Sequence, residues 1–517
     1  MGVFAIGLFK NLGNIAFWGD EGETVQLGKS ILQFGYPSIF DGRSTFIFVP
    51  DRFDNKSYFV YNSPLLQHYT AAIGLKFNNG IADPFIIRFP FALVGFLGVV
   101  GSVILLLKSK VSLFAIFLYS FMIATSIQIY LYYRETRHYV FHFPLFLGLI
   151  YSYFYLEKRV GQLAFIIFGF LLYNAFYPGF FAIYLSLAVY LLIRKYFLKQ
   201  KVTLIPFFVC TFILGLLLLP IVIYTKQLSM IFEEQGQGPA FYRNMLGYFY
   251  DLNYLAYLKV LFVGLLSVVI LKIVEYKKVR FNFLSFRIIP KKHMLFLGLF
   301  FVLIPVYTFI ISLGRHNARY ISLLFPIVFF LTAYFWDYTL SFIGKTKKIR
   351  SIIQILSVPI FIYLMVISHP NLFLQIRSYN KELNSTFIGP VDGIVNTITG
   401  APHGRANPYI SMRPDLLIAT NVESEALYAY LGSQFLDLDS FGVYKYGIRK
   451  PDWIIPRHYE GQFHVYDDLI SAGNYEKILT YYCDTEFQQI YSVKTHYYET
   501  VTHCPERRLV LYKLKSK

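Results

Sequence analysis

Apolar runs of about the length of a bilayer-crossing helix recur from residue 2 to residue 368, most of them separated by short polar joints and three by longer segments. About 20 apolar helical residues cross a hydrocarbon core of roughly 30 Å, and a helix satisfies its own backbone there. Hydropathy windows put spans at 2–18, 84–107, 111–131, 139–156, 161–176, 178–193, 203–224, 255–274, 293–313, 319–340 and 351–368, eleven in all. With 56% hydrophobic and only 15% charged residues, the chain is excluded from the soluble globular class. The expected fold is an all-α polytopic membrane domain of about eleven transmembrane helices. A formal charge of +18 would suggest nucleic acid in a soluble protein, but the Lys and Arg lie largely in short loops between spans. They are a topology signal, and no nucleic-acid partner is expected.

Alternate loops hold those bases: Lys108 and Lys110; Lys158 and Arg159; Arg194, Lys195, Lys199 and Lys201; the stretch from Lys277 to Lys292; and Lys345, Lys347, Lys348 and Arg350. The positive-inside rule makes these loops cytoplasmic in a plasma (inner) membrane. Segment 19–83, the turns 134–138, 173–179 and 314–320, loop 225–254 and everything after His369 then face outward. Met1 to Trp18 has neither a basic n-region nor a small-residue cleavage site, so an uncleaved first span is expected, short and interrupted at Lys10-Asn11.

Beyond 369 turn residues cluster and no span recurs. "DLLIAT" (415–420), "DWIIP" (452–456) and "RLVLYKL" (508–514) read as strands, and "VESEALYAYLG" (422–432) reads as an amphipathic helix. The division is therefore a transmembrane domain over 1–368 and a small extracytoplasmic α/β domain over 369–517. Of the three cysteines, Cys210 lies in an apolar run; Cys483 and Cys504 lie in the tail, as a disulfide or as two buried thiols. Three cysteines exclude a four-cysteine metal centre. The sequon Asn384-Ser385-Thr386 falls on the outer side.

Three polar clusters meet the outer face. Asp20, Glu21 and Glu23 end the first apolar run, ahead of "TVQLGKSILQFGYP", whose apolar spacing predicts an interfacial helix with one face in lipid. "YLYYRETRHYVFHFP" (130–144) presents Arg134, Glu135, Arg137, His138 and His142; Glu135 and Arg134 stand three and four residues before His138, on one helical face. "GRHNARYISLLFP" (314–326) presents Arg315, His316, Arg319 and Tyr320. Arginine suits phosphate because its planar fork holds two oxygens. Glu23 reads as an ordinary helix N-terminal charge.

In this order the motifs resemble the glycosyltransferases of the GT-C fold, in particular the family 39, protein mannosyltransferase-like and lipid A aminoarabinose transferase-like membrane enzymes. Those carry an Asp-Glu pair after the first span, a "G.P…DG" stretch, "PPL" before a further helix, and "RFP" opening the second span. The corresponding stretches here are Asp20-Glu21, "FGYPSIFDG" (34–42), "SPLLQHYTAAIG" (63–74) and "IIRFPFALVGFLG" (86–98). The second and third clusters are similar to the family's second outer motif and its late "RY…P" motif. The resemblance covers roughly 1–370 and implies interfacial helices in the first outer loop. It also implies inverting transfer of a sugar from a polyprenyl-phosphate donor to a lipid, glycan or protein acceptor. Asp20 would be the base or position the acceptor, with Glu21 beside it, and Glu135 would be the second acid. Arg137, His138, Arg315 and Arg319, with Tyr320, would hold the lipid phosphate. Some relatives need a divalent metal ion, for which Asp20, Glu135 and His138 are the candidate ligands, although no spacing demands one.

One departure concerns the phosphate. Aminoarabinose transferase relatives often have Lys before Pro-Pro, whereas this chain has Asn62-Ser63-Pro64. Either Lys56 or Arg88 takes that part, or the phosphate is held differently. The competing classes are a transporter or flippase of a lipid-linked substrate and a catalytically inactive binding subunit.

Overall fold

A computed structural model of the chain describes residues 1–40, 57–60, 63–200, 202–225, 239–276, 291–314, 316–344, 346–384, 390–402, 406–420, 424–436, 450–456, 470–483 and 508–515. The membrane part begins with α1 (Gly2–Phe9), α2 (Gly19–Phe34), α3 (Leu65–Phe77), α4 (Pro84–Lys108), α5 (Leu113–Thr125), α6 (Ile127–Arg134), α7 (Tyr139–Tyr153) and α8 (Arg159–Ala175). It continues with α9 (Tyr177–Leu192, extended by a π-turn Ile193–Phe197), α10 (Ile205–Tyr224), α11 (Pro239–Leu255), α12 (Leu258–Tyr276), α13 (Lys291–Ile311), a 3₁₀ turn (Ala318–Ile321), α14 (Leu324–Ile343) and α15 (Lys347–Ser368). The tail holds α16 (Leu372–Asn384), α17 (Pro390–Thr399), β1 (Leu417–Thr420), α18 (Ser424–Leu431), β2 (Gln434–Leu436), β3 (Trp453–Ile455), β4 (Tyr475–Cys483) and β5 (Arg508–Leu514).

Among the described residues, α4, α9 with its π extension, α10, α14 and α15 are each long and apolar enough to cross a membrane. Counting each bent pair as one span raises these five to seven, and α7, α8 and the Phe296–Ile311 part of α13 are shorter apolar helices. The differences from the eleven expected runs have local causes. The run 111–131 breaks into α5 and α6 at a bend of 63°, where Ser126 takes an extended conformation. The run 255–274 is the second limb of a pair bent by 81°, the break falling where Tyr257 adopts a φ of 58°, which a side chain disfavours. Its first limb, α11, falls in the stretch read as an outer loop. The run 2–18 is helical only over the 8 residues of α1, because Asn11 turns to a φ of 51° and the carbonyls beyond are taken by side chains.

Arg134 caps the end of α1 itself. Its Nη1 donates to the carbonyls of Gly7, Leu8 and Lys10 at 3.1, 3.0 and 2.8 Å, and its Nη2 to Asn11 O at 3.0 Å. A helix C-terminus leaves carbonyls without intrahelical partners, and a guanidinium both bonds them and opposes the dipole. Arg134→Ala is expected to cost about 2 kcal/mol, read as a lower thermal unfolding midpoint in detergent. Turnover per folded molecule should change by less than about tenfold.

Helix α2 starts after the extended Trp18, with Asp20 and Glu21 in its first turn, and stops at Gly35, whose φ of 84° is left-handed. Of its apolar residues, Val25, Leu27 and Ile31 are buried in protein, while Leu32 and Phe34 near its end remain exposed. One side meets α3 so closely that a Cβ on Gly28 would stand 3.0 Å from the Ala72 nitrogen. The other meets α18: Lys29 Nζ donates to Ala429 O at 3.1 Å, and Phe17 N donates to Tyr430 Oη at 3.3 Å. The tail thereby braces the helix that carries the acids.

The tail sheet has strand order β2-β1-β3-β5-β4. β1 runs parallel to β2 and β3, while β5 is antiparallel to β3 and β4. The expected strands appear as β1, β3 and β5, and the expected helix as α18. Cys504 lies outside the described residues, and with it the Cys483 bridge; Ser385 and Thr386 of the sequon do too.

Candidate active site

Three chain segments meet at one end of the bundle: the first turn of α2, the turn 135–138 between α6 and α7, and the 3₁₀ turn before α14. Asp20 Oδ2 lies 3.1 Å from Arg319 Nη1 and 3.5 Å from Arg137 Nη2. Its side chain is 27% exposed, whereas that of Glu21 is 0% exposed. The two neighbouring acids are therefore placed for different work.

Glu21 is a structural tie. Arg88 Nε donates to its Oε1 at 2.9 Å, Arg88 Nη2 donates to Oε2, and the Thr136 amide donates to Oε1 at 3.0 Å. Arg88 also bonds the carbonyls of Leu12, Ile15 and Ala16 at 3.2, 2.7 and 3.2 Å. It thus ties the irregular segment after α1 to α2 and to the 135–138 turn. That use leaves Arg88 no part in holding a lipid phosphate; Lys56, the other candidate, lies outside the described residues.

The two arginines facing Asp20 are held rigidly. Arg319 Nε and backbone N both donate to Asn317 Oδ1, at 3.2 and 3.1 Å, and Nη1 donates to Tyr139 Oη at 2.9 Å. Its guanidinium lies 5.5 Å from the ring centroids of Trp18 and Tyr139, within cation–π range. Arg137 Nη1 donates to Asp20 O at 2.8 Å and to Thr24 Oγ1 at 3.3 Å, and stands 3.7 Å from Glu23 Oε2. Glu23, read from the sequence as an ordinary N-terminal charge, belongs to this network.

Glu135 closes the floor. Burial, and then the negative charge of Glu21, push its carboxyl up to about 8. Its Oε2 is shielded from solvent without a hydrogen-bond partner. At neutral pH this favours the protonated, uncharged carboxyl. Beside it, burial and then the neighbouring His142 hold His138 well below the ordinary imidazole value, so His138 is neutral. Its backbone N donates to Gln67 Oε1 at 2.9 Å, and its ring stacks on Phe176 at 5.3 Å. Tyr320 stacks on the same Phe176 at 5.4 Å.

Some residues of this end were not singled out as site residues in the sequence. Gln67 and His68, from α3, underlie His138; burial, and then the Arg137 charge, push His68 down to about 3. Asp251 on α11 is 3% exposed and lies 2.9 Å from His316 Nε2. Tyr248 Oη accepts from Asn317 N at 3.1 Å, and Asn244 Nδ2 donates to Gly314 O at 2.6 Å. Helix α11 thus fixes the turn that presents Arg319. A polar residue every third or fourth position, Asn244, Tyr248 and Asp251, was the available clue. Arg315 lies outside the described residues. Among the described residues no three His, Cys, Asp or Glu side chains converge to hold a metal ion, so Asp20, Glu135 and His138 do not form the ligand set considered above.

The fold and the charged cluster at its end define a polytopic membrane protein with a polar site at one end of its helical bundle. No family model matches the chain, and no curated protein does. Among solved structures it is similar to the crystal structure of ArnT from Cupriavidus metallidurans in the apo state, with a TM-score of 0.54 and 11% identity over 99% of this chain and 96% of that one. It is also similar to that ArnT bound to undecaprenyl phosphate, with a TM-score of 0.53 and 12% identity over 100% of this chain and 97% of the other. At these identities the likeness is one of fold. It agrees with the resemblance to aminoarabinose transferase-like enzymes seen in the motifs.

Proposed function

We propose that the protein is an inverting membrane glycosyltransferase that moves a sugar from a polyprenyl-phosphate carrier to an acceptor on the outer face of the plasma membrane. The observation that carries this reading is a partly exposed carboxylate, Asp20, held between the guanidinium groups of Arg319 and Arg137. It is supported by a fold shared with ArnT, one of whose structures is bound to undecaprenyl phosphate. A hydroxyl nucleophile needs a carboxylate within hydrogen-bond reach, and a leaving lipid phosphate needs fixed cations. Asp20 takes the acceptor hydroxyl proton as its oxygen attacks the anomeric carbon. The bond from that carbon to the phosphate oxygen breaks, and the electron pair leaves with the lipid phosphate, which Arg319 and Arg137 stabilise. A phosphate bound beside Arg319 and Arg137 shares their charge and leaves the carboxylate available to the hydroxyl. Single displacement inverts the anomeric centre, and the acceptor is a lipid, glycan or protein hydroxyl or amine.

Protonated Glu135 donates a hydrogen bond in this scheme. Ionisation as pH rises through about 8 puts a further negative charge beside Glu21 and Asp20, so turnover is expected to fall on the alkaline side. Because the folded value lies above the ordinary carboxylate value of 4.5, the associated stability is complete below that ordinary value and is lost as pH rises through about 8. Glu135→Gln copies the protonated carboxyl. It is expected to keep most turnover at mildly acidic pH and to flatten the alkaline limb; loss of turnover at all pH values would assign Glu135 an ionised role instead.

The two bent helix pairs are the feature a transporter would share, but transporters gather ionisable groups near the midplane, and here they gather at one end. Removing the protein from its cell should make its lipid-linked sugar accumulate, visible by mass spectrometry; an unchanged lipid-linked sugar profile counts against the proposal. In a cysteine-free background, Asp415→Cys should react with an impermeant maleimide from outside and Lys347→Cys only after permeabilisation, and the reverse pattern would overturn the orientation.

A further inference from the structure

A cavity of about 590 Å³ opens at the other end of the bundle. Arg88, near the start of α4, bonds Glu21, while Lys108, at the last residue of α4, lines the cavity. The helical rise from residue 88 to residue 108 corresponds to about 30 Å, so this chamber is distinct from the Asp20 end. Its volume falls within the roughly 300–1,000 Å³ of small-ligand sites.

The walls are mainly apolar, among them Leu147, Phe146 and Phe330, and Lys108 and Arg194 are the bases among the lining residues, with Glu157 the acid. Arg194 spends one donor, Nε, on Gln200 Oε1 at 2.9 Å. Tyr153, 4% exposed, also lines the chamber, with its hydroxyl facing the Arg194 guanidinium. An apolar chamber with two cations, one of them beside a tyrosine hydroxyl, suits a hydrocarbon chain ending in an anionic head.

We propose that this cavity binds an anionic phospholipid of the basic-side leaflet, one acyl chain filling the chamber and the phosphate held by Arg194 and Lys108 with Tyr153 donating to it. The charge places the head at this end. A polyprenyl donor with its phosphate at Arg319 would bring only uncharged tail here and would leave both cations unused. The site is independent of the transfer reaction.

Native mass spectrometry of the full-length protein in mild detergent tests this, with phosphatidylglycerol and phosphatidylcholine of identical chains as probes. Phosphatidylglycerol should be retained as one molecule per chain at least about tenfold more tightly than phosphatidylcholine. Lys108→Gln with Arg194→Gln should abolish that preference, and Leu147→Trp, which fills the chamber, should displace the lipid altogether. The charge variant keeps the proposal falsifiable should the filling variant misfold. Equal retention of the two phospholipids, a preference that survives in the charge variant, or displacement of phosphatidylglycerol by polyprenyl phosphate at this same site would each overturn it.

Discussion

Asp20→Asn is expected to lower turnover by at least about a hundredfold, the usual contribution of a positioned general base, while the protein stays folded. Asparagine has the size of aspartate but cannot take a proton. The two ion pairs it gives up, to Arg319 at 3.1 Å and Arg137 at 3.5 Å, involve a side chain 27% exposed. Pairs that open to solvent are worth no more than about 1 kcal/mol each. Arg319 keeps Asn317 and Tyr139 as partners and stays in place. The thermal midpoint in detergent should therefore move little while product formation disappears. A variant with near-wild-type turnover would remove Asp20 from the chemistry.

The opposite pattern is expected one residue further on. Glu21 is fully buried, and its partner Arg88 has a side chain 7% exposed. Removing one member of a buried pair leaves an uncompensated charge and costs about 3–5 kcal/mol. Arg88→Met should be the more damaging change, because it also releases the carbonyls of Leu12, Ile15 and Ala16. Combining it with Glu21→Gln should recover part of the loss, since neither charge then remains buried alone. Turnover per folded Glu21→Gln molecule should stay within about tenfold of wild type. A Glu21→Gln protein that is stable but inactive would reverse the roles given to the two acids.

Much of the site was legible because its parts are polar interruptions in apolar surroundings. Asp20, Glu135, Arg137 and Arg319 stand out in windows where one or two polar residues would serve a plain turn. The division of labour between Asp20 and Glu21 was not legible, since it depends on Arg88, 67 residues away, and nothing local distinguishes two adjacent acids. Arg134 looked like part of the reactive cluster for the same reason; only the carbonyls of α1 show it to be a cap. Asp251 was missed because α11 falls in a stretch whose polarity reads as loop, although its tertiary partners make it a helix. In the tail, β1 and β3 were recognisable as short apolar runs buried along their length. β4 was not, because "YEKILTYYC" mixes charged with apolar residues as one end of the sheet order.

The most direct measurement supplies the purified full-length protein with a panel of polyprenyl-phosphate sugars and acceptors and follows the lipid by mass spectrometry. A glycosyltransferase releases free polyprenyl phosphate in step with a glycosylated acceptor of inverted anomeric configuration, from wild type and not from Asp20→Asn. Donor that stays intact across the panel, or that crosses a proteoliposome bilayer with its sugar still attached, would contradict sugar transfer and identify a transporter.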